Sequence, residues 1–152
     1  MNIKNAENIR DIFSIFHDGV ITSFRHKEGT ITLEVEISYL AQRVNPTFSK
    51  FFVSLHGAKN IRFEPWLVDT ESDPIIDPSC IFEPHLEILE AELENEYIKV
   101  VCNQHSQEFD YFGGELYLQV TSAEVTDEAG KSYSIEELDA LCKGYWDEWA
   151  GR

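Results

Sequence analysis

The sequence predicts an α+β domain: a twisted, mainly antiparallel sheet of about seven strands arranged as a meander of hairpins, with a short N-terminal helix and an amphipathic C-terminal helix. Two observations carry this expectation. Apolar residues recur at helical spacing only near the two ends, and between them the period falls to two, as in strands buried on one face. A third is size, because 152 residues, 43% of them hydrophobic, are enough to close one core without staples. Residues 1–152 are therefore read as a single domain. An open β-sandwich or partial barrel with flanking helices satisfies the same pattern.

Ile9, Ile12, Phe13 and Phe16 share one helical face, with Asn5 as the cap before them and Asp18-Gly19 as the stop after them. A strand over residues 20–26 then leads through Lys27-Glu28-Gly29 into a second. There Ile31, Leu33, Val35, Ile37 and Tyr39 alternate with Thr32, Glu34, Glu36 and Ser38. Residues 51–55 and 60–63 predict another hairpin, turning at His56-Gly57-Ala58-Lys59. The stretch LVDTESDPIIDPS, residues 67–79, has no clear period. Its prolines and acids mark a loop, and thirteen residues is longer than most connections in a compact domain, which makes it a candidate functional loop.

The stretch LEILEAELENEYIKVVCNQH, residues 86–105, is written in helix formers at its start and alternates at its end. As a helix it would set Glu90 among Leu86, Leu89 and Leu93. As a hairpin turning at Asn95-Glu96 it pairs Leu93 with Ile98, Ala91 with Val100 and Glu92 with Lys99, which joins like with like. Leu86 and Ile88 fall out of phase with Leu89, so the hairpin needs a bulge at Ile88-Leu89. That bulge turns Gln104 inward opposite Leu86, a cost against it, and sets His85 across from His105 on the outer face. Two imidazoles there, near Glu83 and Glu87, are a candidate metal pair.

A last long strand is predicted over residues 115–125 after Gly113-Gly114, followed by a turn at residues 127–131. Ser134 and Glu137 form a capping box, and Ile135, Leu138, Cys142, Tyr145 and Trp149 fall on one stripe of a final helix expected to dock on the sheet.

Charge gives the functional lead. The chain carries a formal net charge of −16, which argues against phosphate backbones and anionic membranes as partners. Through Trp66 there are eight basic and seven acidic side chains, whereas from Leu67 onward four basic face twenty-one acidic. An acidic surface solubilises a monomer, and it also steers a basic protein. The expectation is a non-enzymatic acidic binding module, such as an inhibitor or immunity-type partner of a basic protein. Its candidate contacts are Asp69, Glu71, Asp73 and Asp77 in the loop, Glu90, Glu92 and Glu94 on the strand, and Trp146 as an aromatic anchor. The alternative is a small-ligand binder or enzyme with a pocket between sheet and helix, with His85 and His105 as metal ligands. No Walker loop, GxSxG, GxGxxG, HExxH or EF-hand pattern is present, and no cofactor is predicted. Cys80, Cys102 and Cys142 are odd in number and in no CxxC pair, and no long apolar run occurs. Both features fit reduced thiols in a cytoplasmic protein.

Overall fold

A computed structural model describes residues 2–67 and 73–151. The Asn5 side chain accepts hydrogen bonds from the amides of Glu7 (2.8 Å) and Asn8 (3.3 Å), opening α1 (Ala6–Ile15) as expected. Among the described residues nine strands follow in one sheet: β1 (Val20–Lys27), β2 (Thr30–Glu36), β3 (Lys50–His56), β4 (Lys59–Pro65), β5 (Leu86–Glu94), β6 (Tyr97–Gln104), β7 (Gly113–Gln119), β8 (Ser122–Thr126) and β9 (Ser132–Tyr133). Their order is β4-β7-β6-β5-β1-β2-β3-β8-β9, and every ladder is antiparallel. Short helices α2 (Ser38–Ala41) and α3 (Pro78–Ile81) interrupt the meander, and α4 (Ile135–Ala150) ends it. The fold is α+β, with a few more strands than the sequence suggests.

Three local expectations need correction. The second strand stops at Glu36, not Tyr39, because the chain turns there into α2. This buries Leu40 and Ala41 and lets the Tyr39 hydroxyl donate to the carbonyl of His17 (3.0 Å). The hairpin over residues 51–63 does not form: β3 pairs with β2 and β8, while β4 pairs with β7. The strand over residues 115–125 is likewise broken, into β7 and β8. One cause explains the last two. Segments 50–65 and 113–126 run antiparallel and bend together, with the amide of Thr121 bonded to the carbonyl of His56 (2.9 Å) at the bend. Gly57 makes that corner, at φ +66°, and a Cβ there would collide with the Thr121 side chain.

The bend curls the sheet around α1. The helix touches β5 and β6 from one part of the strand order and β8 from another. Ile3, just ahead of it, exchanges backbone bonds with Ala123 of β8 (2.7 and 2.8 Å). Ile9, Ile12, Phe13 and Phe16 are wholly buried in a single core with Leu33, Val35, Phe51, Val53, Leu86, Ile88 and Val100. The capping box of α4 is present, but the helix packs on α1 and α2 rather than laying its stripe on the sheet. Leu138 alone of that stripe is buried, and Trp149 stays 57% exposed.

Asp127 ties the turn after β8 together. Its carboxylate accepts from the amides of Ala129 (2.8 Å) and Lys131 (3.0 Å) and from the Tyr133 hydroxyl (2.7 Å). Burial alone would raise its pKa, but these hydrogen bonds outweigh it and hold the carboxyl below the ordinary value of 3.8.

Two measurements check this account. Gly29 also has a positive φ, of +77°, but open space where a Cβ would go. Gly57→Ala should therefore destabilise the fold by about 1–3 kcal/mol more than Gly29→Ala in urea melts, the difference being the collision with Thr121. A depressed folded-state pKa contributes stability that is complete above the unfolded value and is lost as pH falls through the folded one. Asp127→Asn should thus lower stability at neutral pH, with the gap to wild type narrowing below about pH 3.8.

Candidate functional site: an acidic strand face and an adjoining pocket

The β5–β6 hairpin has the register its side chains demand. Glu92 faces Lys99 and Leu93 faces Ile98, while Ile88 faces Cys102 and Glu90 faces Val101, leaving Leu89 as the extra residue of a bulge. Backbone contacts from the end of α1 fix it, since the amide of Asp18 donates to the carbonyl of Ile88 (2.7 Å) and the amide of Ile88 to the carbonyl of Gly19 (2.8 Å). The inward Gln104, 3% exposed, is fully satisfied. Its Nε2 donates to the carbonyls of Ser106 and Tyr111 (both 2.9 Å), and its Oε1 accepts from the amide of Ser106. The buried amide therefore organises the β6–β7 connection, which offsets its desolvation.

Downstream of the bulge, Glu90, Glu92 and Glu94 stand exposed on the outer face, with Glu87 on the same face upstream. Lys99 lies among them, 2.6 Å from Glu92, 3.5 Å from Glu94 and 4.0 Å from Glu115. Hydrogen bonding to Glu92, reinforced by the charges of Glu115 and Glu94, raises its pKa and keeps it cationic. Across β7, the Arg62 guanidinium lies 4.1 Å from the ring centre of Tyr117 and 4.7 Å from that of Tyr97, with Glu64 at 3.3 Å. Burial, and a hydrogen bond donated to Glu115, hold the Tyr117 phenol protonated. Two cations thus sit inside a field of carboxylates, and Glu90 has no cationic partner among the described residues.

The bulge also brings His85 and His105 to one pocket of about 390 Å3, with Val20, Glu83, Pro84, Glu87, Gln104, Ser106, Glu108 and Phe109 around them. His105 Nε2 lies 3.3 Å from Glu87 Oε1, which also accepts from Asn103 Nδ2 (3.3 Å). Among the described residues, no group of three or more His, Cys, Asp or Glu side chains is arranged to hold a metal ion.

The other nominated residues are scattered. Asp69 and Glu71 lie outside the described residues. Asp73 and Asp77 are exposed, and Asp77 caps α3 by accepting from the amide of Ser79 (2.9 Å). Ile75 bridges to Phe63 on the edge of β4 away from β7, so this segment lies four strand spacings, or about 19 Å along the sheet, from β5. Trp146, 37% exposed, stacks on His17 (5.6 Å) and meets the edges of Tyr39, Tyr145 and Trp149. Among the described residues no helix is long and apolar enough to cross a membrane. Sequence reasoning missed Arg62, Tyr97 and Tyr117, because their meeting depends on the pairing of β4 with β7, and missed Glu108 and Phe109, which lie in an aperiodic connection.

Cys102 is not placed for nucleophilic catalysis with His105. Cys102 is fully buried on the inner face and burial pushes its pKa up to about 12, whereas His105 is 71% exposed. Alkylation of the native protein should therefore proceed in three steps: exposed Cys80 first, half-buried Cys142 more slowly, and Cys102 only on unfolding. Peptide mapping after timed quenching reads the order. Comparison with protein-family models, curated proteins and solved structures gives no match to this chain.

Proposed function

We propose that this chain is a non-enzymatic binding module whose acidic sheet face engages a basic protein, in the manner of an inhibitor or immunity-type partner. The observation that carries this reading is the row Glu90, Glu92 and Glu94, exposed side by side on one strand and continuous with Glu87, Glu115 and Glu64, against Lys99, Arg62 and, at the start of β4, Lys59 among the described residues of the same face. Such a field draws a cationic partner from a distance comparable to the Debye length, about 8 Å at physiological salt, and selects against anions. The aromatic and guanidinium groups beside it, Tyr97, Tyr117 and Arg62, are the residue types that anchor interfaces once steering has delivered the partner.

The test is capture from the native organism's lysate at low and high salt, followed by association kinetics with the captured protein. The partner should be basic, its association rate should fall steeply with added salt, and Glu90→Gln, Glu92→Gln and Glu94→Gln together should slow association by about tenfold or more at low salt. All three positions are exposed, and Lys99 retains Glu115, so the variant should keep its fold. Equal association rates for the wild-type and triple-variant proteins would remove this face from the interface.

A further inference from the structure

We propose that the pocket holding His85 and His105 is the receptor for an arginine side chain of the basic partner, an assignment that rests on the reading above and extends it from charge to shape. Its lining includes Glu83, Glu87 and Glu108 and, among the described residues, no lysine or arginine. Val20, Pro84 and Phe109 supply apolar wall for the methylenes of a long side chain, and about 390 Å3 gives room for its head and stem.

The arrangement suits a guanidinium better than a metal, an anion or an ammonium. No trio of metal ligands is formed among the described residues, and three carboxylates repel an anion. A planar guanidinium can stack on Phe109 or an imidazole face while donating two parallel N–H bonds to a carboxylate at its edge, a bidentate geometry that an ammonium lacks. Glu87 is already held in place. Its Oε1 is engaged by His105 and Asn103, its side chain is 29% exposed, and Oε2 has no partner among the described residues. A preformed acceptor loses little freedom on binding. The pocket also continues the acidic face, because Glu87 belongs both to its wall and to the outward side of the strand bearing Glu90, Glu92 and Glu94.

The pocket is tested without the partner. The full chain, labelled with 15N, is titrated at constant ionic strength with capped arginine (N-acetyl-arginine N-methylamide), with capped citrulline as the neutral isostere, and with capped lysine. Capped arginine should produce saturable amide shifts centred on His85, Glu87, His105, Ser106 and Phe109, with citrulline binding at least about tenfold more weakly. Glu87→Gln should weaken arginine binding by about tenfold. Its amide spectrum reports its folding, and Glu108→Gln, at an exposed loop position, provides the same readout if Glu87→Gln perturbs the fold. The triple Glu90, Glu92, Glu94 variant should bind capped arginine as wild type does. Equal binding of citrulline, shifts that spread along the strand without saturating, or indifference to both single variants would overturn the pocket. Equal saturable binding of lysine would overturn the choice of guanidinium. If the pocket variants leave arginine binding intact while the triple variant slows the captured partner, the pocket fails and the acidic face stands. The reverse pattern fails the face and leaves the pocket.

Discussion

One helix seated by its apolar face in one curled sheet is the constraint on which the rest of this structure depends. An isolated helix as short as α1 is marginal in water, so its order must come from the apolar surface it shares with the strands. The sheet needs the helix equally. Its two parts meet between β5 and β1 through a short ladder, Val20 with Glu87 and Ile21 with Leu86, extended by the bonds of Asp18 and Gly19 to Ile88, and without α1 between them their inner faces would enclose a void. Phe16 stacks on Phe51 at 5.2 Å, and Phe51 meets Tyr133 edge-on at 5.8 Å. Tyr133 in turn donates to Asp127, so order passes from the helix through β3 to the turn that precedes α4.

That arrangement determines where function can reside. The inner face is saturated with apolar contacts, so polar groups are confined to the outer face and the strand ends. The short β1–β5 junction does two jobs there. Through Asp18 and Gly19 it grips Ile88 and fixes the bulge, and the bulge sets the phase of every side chain on either side of it. Downstream, the glutamates point outward. Upstream, Glu87 and His85 reach the same pocket as His105, with Val20 as part of its wall. The acidic row and the pocket are thus two products of one backbone irregularity, and the buried amide of Gln104 holds the connection that completes the second.

The acidity of the face is also less uniform than a charge count suggests. Lys99, only 16% exposed, is gripped by Glu92 and Glu94, and Arg62 packs against two tyrosines that meet edge-on. Exposed pairs of this kind add little to stability, but they orient the carboxylates and leave Glu90 as the least compensated. Asp73 and Asp77 lie at the margin of this field, away from Glu90. The segment around Asp73 to Asp77 follows the far side of β4, and Asp77 is occupied in capping α3.

By itself the sequence determined what can be read within a short window. The cap at Asn5, the turn around Glu28-Gly29 (read from the sequence as Lys27-Glu28-Gly29), the two-residue turn at Asn95-Glu96, the phase of the β5–β6 pairing and the capping box at Ser134 each depend on residues close together in the chain, so local chemistry decides them, while Asp18 and Gly19 clamp the bulge from outside the hairpin. The outward direction of Glu90, Glu92 and Glu94 follows from the same register. Only the tertiary structure decided that β4 leaves its sequence neighbour β3 for β7, because that choice depends on a bend at Gly57 matched by one at Thr121, far along the chain. With that pairing came the Arg62–Tyr97–Tyr117 cluster, and with the β6–β7 connection came Glu108 and Phe109. A strand's periodicity names the face it buries but not the strand it pairs with, and partner choice is settled by which long-range arrangement closes the core around α1.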